Sequence, residues 1–175
     1  SCYKADRDTF ISYHSDHIGQ GTIRAIAGDD RRLWFATAGG LTRYDYNDHS
    51  FTNFTTNNGL PSNLVQAVAV TAYGKVFIGT NQGLAVMHDP NGDRIEPVSI
   101  PGSSKLLLRV ETLYCDRRNR IFAGTQGGVV RIDSLTPEII TTSDGLTNPV
   151  IRGISSDQAG HLWFATEAGL NVMTR

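Results

Sequence analysis

Four polar residues recur at one place in this chain. Arg24, Gln66, Glu111 and Arg152 stand between mostly apolar neighbours near the start of four similar stretches, TIRAIA, VQAVAV, LRVETLY and VIRGISS. Two guanidinium groups, a carboxylate and an amide held side by side carry a net positive charge, which suits an acidic or carboxylate-bearing ligand through charge-assisted hydrogen bonds. The same four can instead satisfy one another, Glu111 pairing with Arg152 of the next unit, because charges withdrawn from water must pair. Either reading requires a scaffold that places equivalent residues around one axis.

The repeat that supplies it is written openly. LWFATAGGL (33–41) returns as LWFATEAGL (162–170), with VFIGTNQGL (76–84) and IFAGTQGGV (121–129) between them. Thr37, Thr80, Thr125 and Thr166 are thereby spaced at roughly 40 to 45 residues, the length of one four-stranded propeller blade. Within the second unit, VQAVAV, KVFIGT, LAVMHD and RIEPVSI (94–100) read as short strands separated by TAYG, NQG and PNGD turns,. The expectation is an all-β chain, a β-propeller of four blade repeats with four antiparallel strands each, in a single domain over 1–175. The repeats run approximately 16–56, 57–100, 101–143 and 144–175. Units one to three end in FTNFTT (51–56), RIEPVSI and EIITTS (138–143), whereas the fourth stops after its third strand. TFISYHS (9–15) has the same alternation and is expected to complete that last blade, removing open sheet edges. For the assembled ring, two chains pooling eight blades are favoured over a single four-bladed ring or a segment of a longer propeller.

Strand direction sorts the loops into two faces. The x-x-G loops share a face with the loops that enter each inner strand, and this face gathers amides and hydroxyls suited to hydrogen-bonding a polar ligand. From the entry loops come Asp16, His17, Gln20, Asn57, Asn58, Ser62, Asn63, Ser104, Lys105, Asp144 and Asn148; from the x-x-G loops come Asn81, Gln82, Gln126 and Glu167. The plainer account is that Asn, Asp and Ser sit there because they form turns with their own backbone. Trp34 and Trp163, at matching positions in second strands, are expected to be core anchors between blades.

Composition excludes several classes. Sixteen basic residues against seventeen acidic ones give a net charge of -1, without the basic footprint of a nucleic-acid or anionic-membrane binder. No apolar run reaches the ~20 residues that cross a bilayer. His14, His17, His49, His88 and His161 form no metal-ligand spacing, and no G-x-S-x-G is present,. No catalytic residue, metal or cofactor is expected. Cys2 and Cys115 are too few for a disulfide framework,, and Cys2 is placed where a lipid-modified first residue of a processed lipoprotein would stand.

With the units aligned, NNGLPSN (57–63), DGLTNP (144–149), DQAGHLWFATEAGL (157–170) and GKVFIGTNQGLAV (74–86) carry a common pattern. It resembles the two-component regulator propeller repeat of periplasmic sensor regions in bacterial hybrid histidine kinases. The resemblance implies a non-catalytic periplasmic or extracellular sensor module that binds a polar small molecule or oligosaccharide, with its kinase or other effector domain outside this chain. Departures are DDRRLWFAT in unit one, whose turn lacks the glycine, and PGSSKLL (101–107) in unit three, which replaces the N-G-L-P entry. The unit-four signature is also similar to that of streptogramin lyase propellers, where His and Glu act as acid and base; His161 and Glu167 would be those residues. A third reading is a protein-interaction scaffold.

Overall fold

The computed structural model describes residues 13, 17–19, 21–100, 102, 104–133 and 137–174. Fifteen strands among them form four antiparallel sheets. The first sheet is β1 (Ile23–Gly28), β2 (Arg32–Thr37), β3 (Gly40–Asp45) and β4 (Phe51–Phe54), in that order. The second is β5 (Val65–Val70), β6 (Val76–Thr80), β7 (Gly83–Met87) and β8 (Glu96–Pro97), and the third is β9 (Val110–Cys115), β10 (Ile121–Thr125), β11 (Val129–Ile132) and β12 (Pro137–Ile140). The fourth has three described strands, β13 (Ile151–Ser156), β14 (Leu162–Thr166) and β15 (Gly169–Met173). The strand expected at 9–15 lies outside the described residues except for Tyr13.

Each sheet is a blade, and the blades stack face to face. Inner strands β1, β5, β9 and β13 pack on one another in sequence, whereas β1 and β13 make no comparable contact. The described residues therefore form an open arc, not a closed ring of four. Apolar clusters fill the gaps between blades. Trp34, Leu41 and Phe54 of the first blade meet Val65, Val68 and Ile78 of the second. Leu84 meets Val110 and Ala123, and Phe122 and Val129 meet Ile151 and Phe164.

Close packing at these gaps requires a small residue in each second strand. A Cβ on Gly79 would lie 2.4 Å from Val110 Cγ1, and one on Gly124 would lie 2.7 Å from Ile151 Cγ2. The inner strand of the next blade thus begins directly against the backbone of its neighbour. The recurring threonine has a second task. Its Oγ1 donates to the carbonyl three residues on, at 2.9 Å for Thr37–Gly40 and Thr80–Gly83 and at 2.7 Å for Thr125–Gly128, and accepts an N–H from the loop between. The hairpin is braced from inside in every blade, including Thr166 with Gly169.

Three features depart from the sequence reading. The fourth strand of unit two shrinks to Glu96–Pro97, because Pro97 has no N–H to give to a ladder and Ile95 instead donates to the Asn58 carbonyl at 3.0 Å. The entries to units two and four are single 3₁₀ turns, Thr56–Asn58 and Thr142–Asp144, each closed by a capping box and a left-handed glycine, Gly59 or Gly145. In unit three the entry is a short α-helical turn, Lys105–Leu108. Trp34 is fully buried, but Trp163 is 37% exposed, since no described blade covers its side of the fourth sheet.

Replacing Thr125 by Val should cost about 1–3 kcal/mol, because Gly127 N–H loses its acceptor in a half-buried loop and the buried Gly128 carbonyl keeps only the Thr125 N–H,. The melting temperature is expected to fall by roughly 2–4 °C per kcal/mol for a chain of this size. Thr166→Val, in the exposed last blade, should shift it less, so equal shifts in calorimetry would contradict this account.

Candidate functional site

The four recurring polar residues share a backbone cause. In every blade the pairing of the first two strands slips at one residue: between Ile23 and Ala25, between Val65 and Ala67, opposite Gly124 and Thr125, and between Ile151 and Gly153. The extra residues are Arg24, Gln66, Glu111 and Arg152. A β-bulge leaves its residue outside the ladder and re-aims the side chain, so a polar group can sit on an otherwise apolar strand without entering the gap between blades. Because inner strands are neighbours, the bulges lie side by side at one end of the arc.

The x-x-G loops arrive at the same end. Asn81, Gln126 and Glu167 each follow the bracing threonine, and the Asn81 and Glu167 N–H groups bond the carbonyls of Leu64 and Val150 just before the bulges. In blades three and four this produces a linked set. Glu111 accepts from Gln126 Nε2 at 2.9 Å and from Arg109 Nε at 3.1 Å, and lies 3.8 Å from Arg152 Nη1. Arg152 also pairs with Glu167, which holds its guanidinium pKa above the ordinary value. In blades one and two the groups are open. Among the described residues the side chains of Arg24 and Gln66 make no hydrogen bond or ion pair, and Asn81 Oδ1 is buried without a partner. The two sets of residues named from the sequence, inner-strand and x-x-G, thus merge into one mouth with a self-paired half and an open half.

The entry-loop residues are engaged locally. Asn63 Oδ1 accepts from Thr56 N–H and Asn148 Oδ1 from Val150 N–H, both at 2.8 Å. Ser62 accepts from Leu64 N–H, Asn58 and Asp144 close the capping boxes, and Ser104 accepts from Leu107 N–H. Asn57 N–H is taken by Thr55, Lys105 opens the short helical turn, and Gln82 is exposed. His17 packs edge-on against Phe51 and Tyr13. Asp16 and Gln20 lie outside the described residues.

The opposite end holds the turns between first and second strands, at 29–31, 71–74, 116–119 and 157–160, and two cavities. One, of 420 Å³, lies between blades two and three against Tyr73, Lys75, Phe77 and Arg118; the other, of 510 Å³, lies between blades one and two against Arg31 and Asn91. His161 is at this end. Its N–H and ring nitrogen contact Asp157 at 2.9 Å, while Glu167 stands across β14 at the mouth with Arg152. His161 and Glu167 therefore flank the two ends of the five-residue strand β14. The half-buried Cys115 thiol is pushed up by burial and then by Asp116, which disfavours the thiolate a nucleophile needs. Among the described residues no group of three His, Cys, Asp or Glu could hold a metal ion, and no helix is long and apolar enough to cross a membrane.

The fold has relatives. No protein-family model matches the chain. Over 182 residues it is 25% identical to Histidine kinase P4 of Formosa agariphila, a match that covers 94% of this chain and 13% of that kinase. The extracellular domain of the hybrid two component system BT3049 from B. thetaiotaomicron superposes with a TM-score of 0.77 at 18% identity, over 95% of this chain and 24% of that one. The computationally designed Ika8 protein superposes at 0.62 with 17% identity, over 86% of this chain and 45% of that one. The sheets are β-propeller blades. The chain spans about a quarter of the solved extracellular domain and a smaller share of the kinase.

The far-end turn gives a titration that tests this geometry. The Trp163 indole N–H, followed by His161, holds the Asp157 carboxyl down at about 2. A depressed carboxyl stabilises the fold at pH values above its unfolded pKa of about 3.9, and that contribution disappears as the pH falls through about 2. Trp163→Phe should raise the Asp157 midpoint toward the ordinary carboxylate range in a carbon-detected NMR titration; an unmoved midpoint would mean that the indole bond is not its cause.

Proposed function

We propose that the chain is the ligand-binding propeller portion of an extracellular or periplasmic two-component sensor, non-catalytic in itself, and that the mouth is its site. The kinase or other effector would lie elsewhere in the full protein. What carries the reading is the bulge at one register position in all four inner strands, which sets polar side chains at a common end. Similarity to Histidine kinase P4 and to the BT3049 extracellular domain supports the sensor context, and an extracellular or periplasmic location goes with that context.

The open half of the mouth suits a small acid that also carries hydroxyl groups, such as an acidic sugar or short acidic oligosaccharide. The Arg24 guanidinium would take the carboxylate, and the Gln66 amide can donate to or accept from the hydroxyl groups. The self-paired half, Glu111, Gln126, Arg152 and Glu167, is the rim against which such a molecule would lie. Asn63, Asn148 and Gln82 of the loop face are left to turn formation and to outer contacts.

Thermal-shift measurements with matched neutral and acidic sugars are the test. Acidic members should stabilise the protein, and Arg24→Ala should weaken their binding about ten- to hundredfold, the worth of a hydrogen bond to a charged group. Arg152→Ala should have a smaller effect because Glu111 and Glu167 already engage it. Stabilisation indifferent to Arg24→Ala and to Gln66→Ala alike would remove the mouth from consideration.

A further inference from the structure

The two ends of the arc carry the two halves of one interface. At each of the three internal junctions, one apolar residue from the third strand of a blade shares a cluster with one from the inner strand of the next. The pairs are Leu41 with Val68, Leu84 with Leu113, and Val129 with Ile154. The position after this series is Leu170 in the last blade, and the position before it is Ile26 in the first. Both are 59% exposed.

Other positions repeat the pattern. Val65, Val110 and Ile151 are fully buried against the preceding blade, while their counterpart Ile23 is 41% exposed; Trp34 is fully buried against the following blade, while Trp163 is 37% exposed and Val172 beside it 46%. The small residue that admits the next inner strand is also present in the last blade, as Ala165, at the register position of Gly79 and Gly124. Among the described residues, the second- and third-strand half of a fourth junction stands on the last blade and its inner-strand half on the first, at opposite ends of one molecule.

We propose that a second copy of this chain covers both faces, blade four of each copy packing on blade one of the other to close an eight-bladed ring. Such a contact is head-to-tail, and head-to-tail contacts generate closed rings when the rotation per step allows it. Inner strands β1 and β13 lack the contact that joins every other consecutive pair, so the arc is open between its first and last blades and leaves room for further blades there. The interface that closes the ring continues the three already formed within the chain. Closure sets Arg24 of each copy beside the bulge of the other copy's last blade, so the channel mouth gains a second set of bulge residues. The inference rests on the blade faces and not on the ligand reading.

Light scattering on the 175-residue chain at micromolar concentrations should give a mass about twice 19.1 kDa. Ile26→Lys alone and Leu170→Glu alone should each give a monomer that retains a cooperative melt and β-sheet circular dichroism. Mixed in equal amounts, the two variants should dimerise again, because the mixed pair contains one native junction and one in which the introduced ammonium and carboxylate face each other as a charge pair. A wild-type chain that stays monomeric overturns the proposal and leaves the faces to blades of a longer polypeptide. A dimer that survives Ile26→Lys, or two variants that fail to restore one another, overturns the head-to-tail arrangement.

Discussion

A propeller blade has two apolar faces and cannot bury either by itself. Most of this molecule follows from that constraint. The second strands show it directly. In β6 and β10, whose blades have neighbours on both sides, all five residues are buried; in β14, whose blade has a neighbour on one side, burial alternates strictly between Leu162, Phe164 and their exposed partners Trp163 and Ala165. The hydrophobic core is therefore a series of layers between sheets, and its continuity depends on small residues such as Gly79 and Gly124 that let one blade's inner strand rest on its neighbour's backbone. The bracing threonine belongs to the same constraint, since a hairpin pressed between two faces must satisfy its polar backbone internally,.

Polar chemistry on such a strand needs a device, and the bulge is that device. A regular strand alternates its side chains between the two faces, and both faces of an inner strand are required for packing. One extra residue per blade takes a side chain out of that alternation without removing an apolar contact. The repetition of the bulge in all four blades gives the mouth its geometry, while the residue that occupies it, Arg, Gln, Glu or Arg, gives each blade a different chemical contribution.

Much of this was legible in the sequence because repeats reveal register. The spacing of Thr37, Thr80, Thr125 and Thr166, the strands around them and the sorting of loops into two faces all follow from alignment of the chain with itself. Equivalent placement of Arg24, Gln66, Glu111 and Arg152 was legible too. The bulge was not, because a bulge is a property of two strands paired together and leaves no mark on one strand read alone. The hydroxyl bridge of the threonine was likewise hidden behind its β propensity. Pro97 did signal the failure of the fourth strand in unit two, but the apolar alternation of its neighbours suggested a longer strand than the ladder supports. Trp163 illustrates a further limit. Its sequence environment is nearly identical to that of Trp34, and only the count of blades around it decides whether it is buried.

The charged set at the mouth is not explained by folding alone. Arg152 and Glu167 are about half exposed, and ion pairs in such settings contribute little to stability because water screens them and long side chains must be held in place. Glu111, at 16% exposure, is the more enclosed member, and its carboxylate needs the donors that Arg109 and Gln126 supply,. Those donors make the group tolerable; they do not account for why a carboxylate stands there when Gln66 occupies the same bulge in the second blade. Nor does packing account for Arg24, whose side chain bonds no partner among the described residues, or for Asn81, whose buried carbonyl oxygen lacks a donor. Two other buried donors, Arg32 Nε and Trp34 Nε1 in the first blade, also lack a hydrogen-bond partner; what sets the mouth apart is the convergence of all four bulges, which presents the exposed Arg24 guanidinium and the half-buried Gln66 amide at one end of the arc.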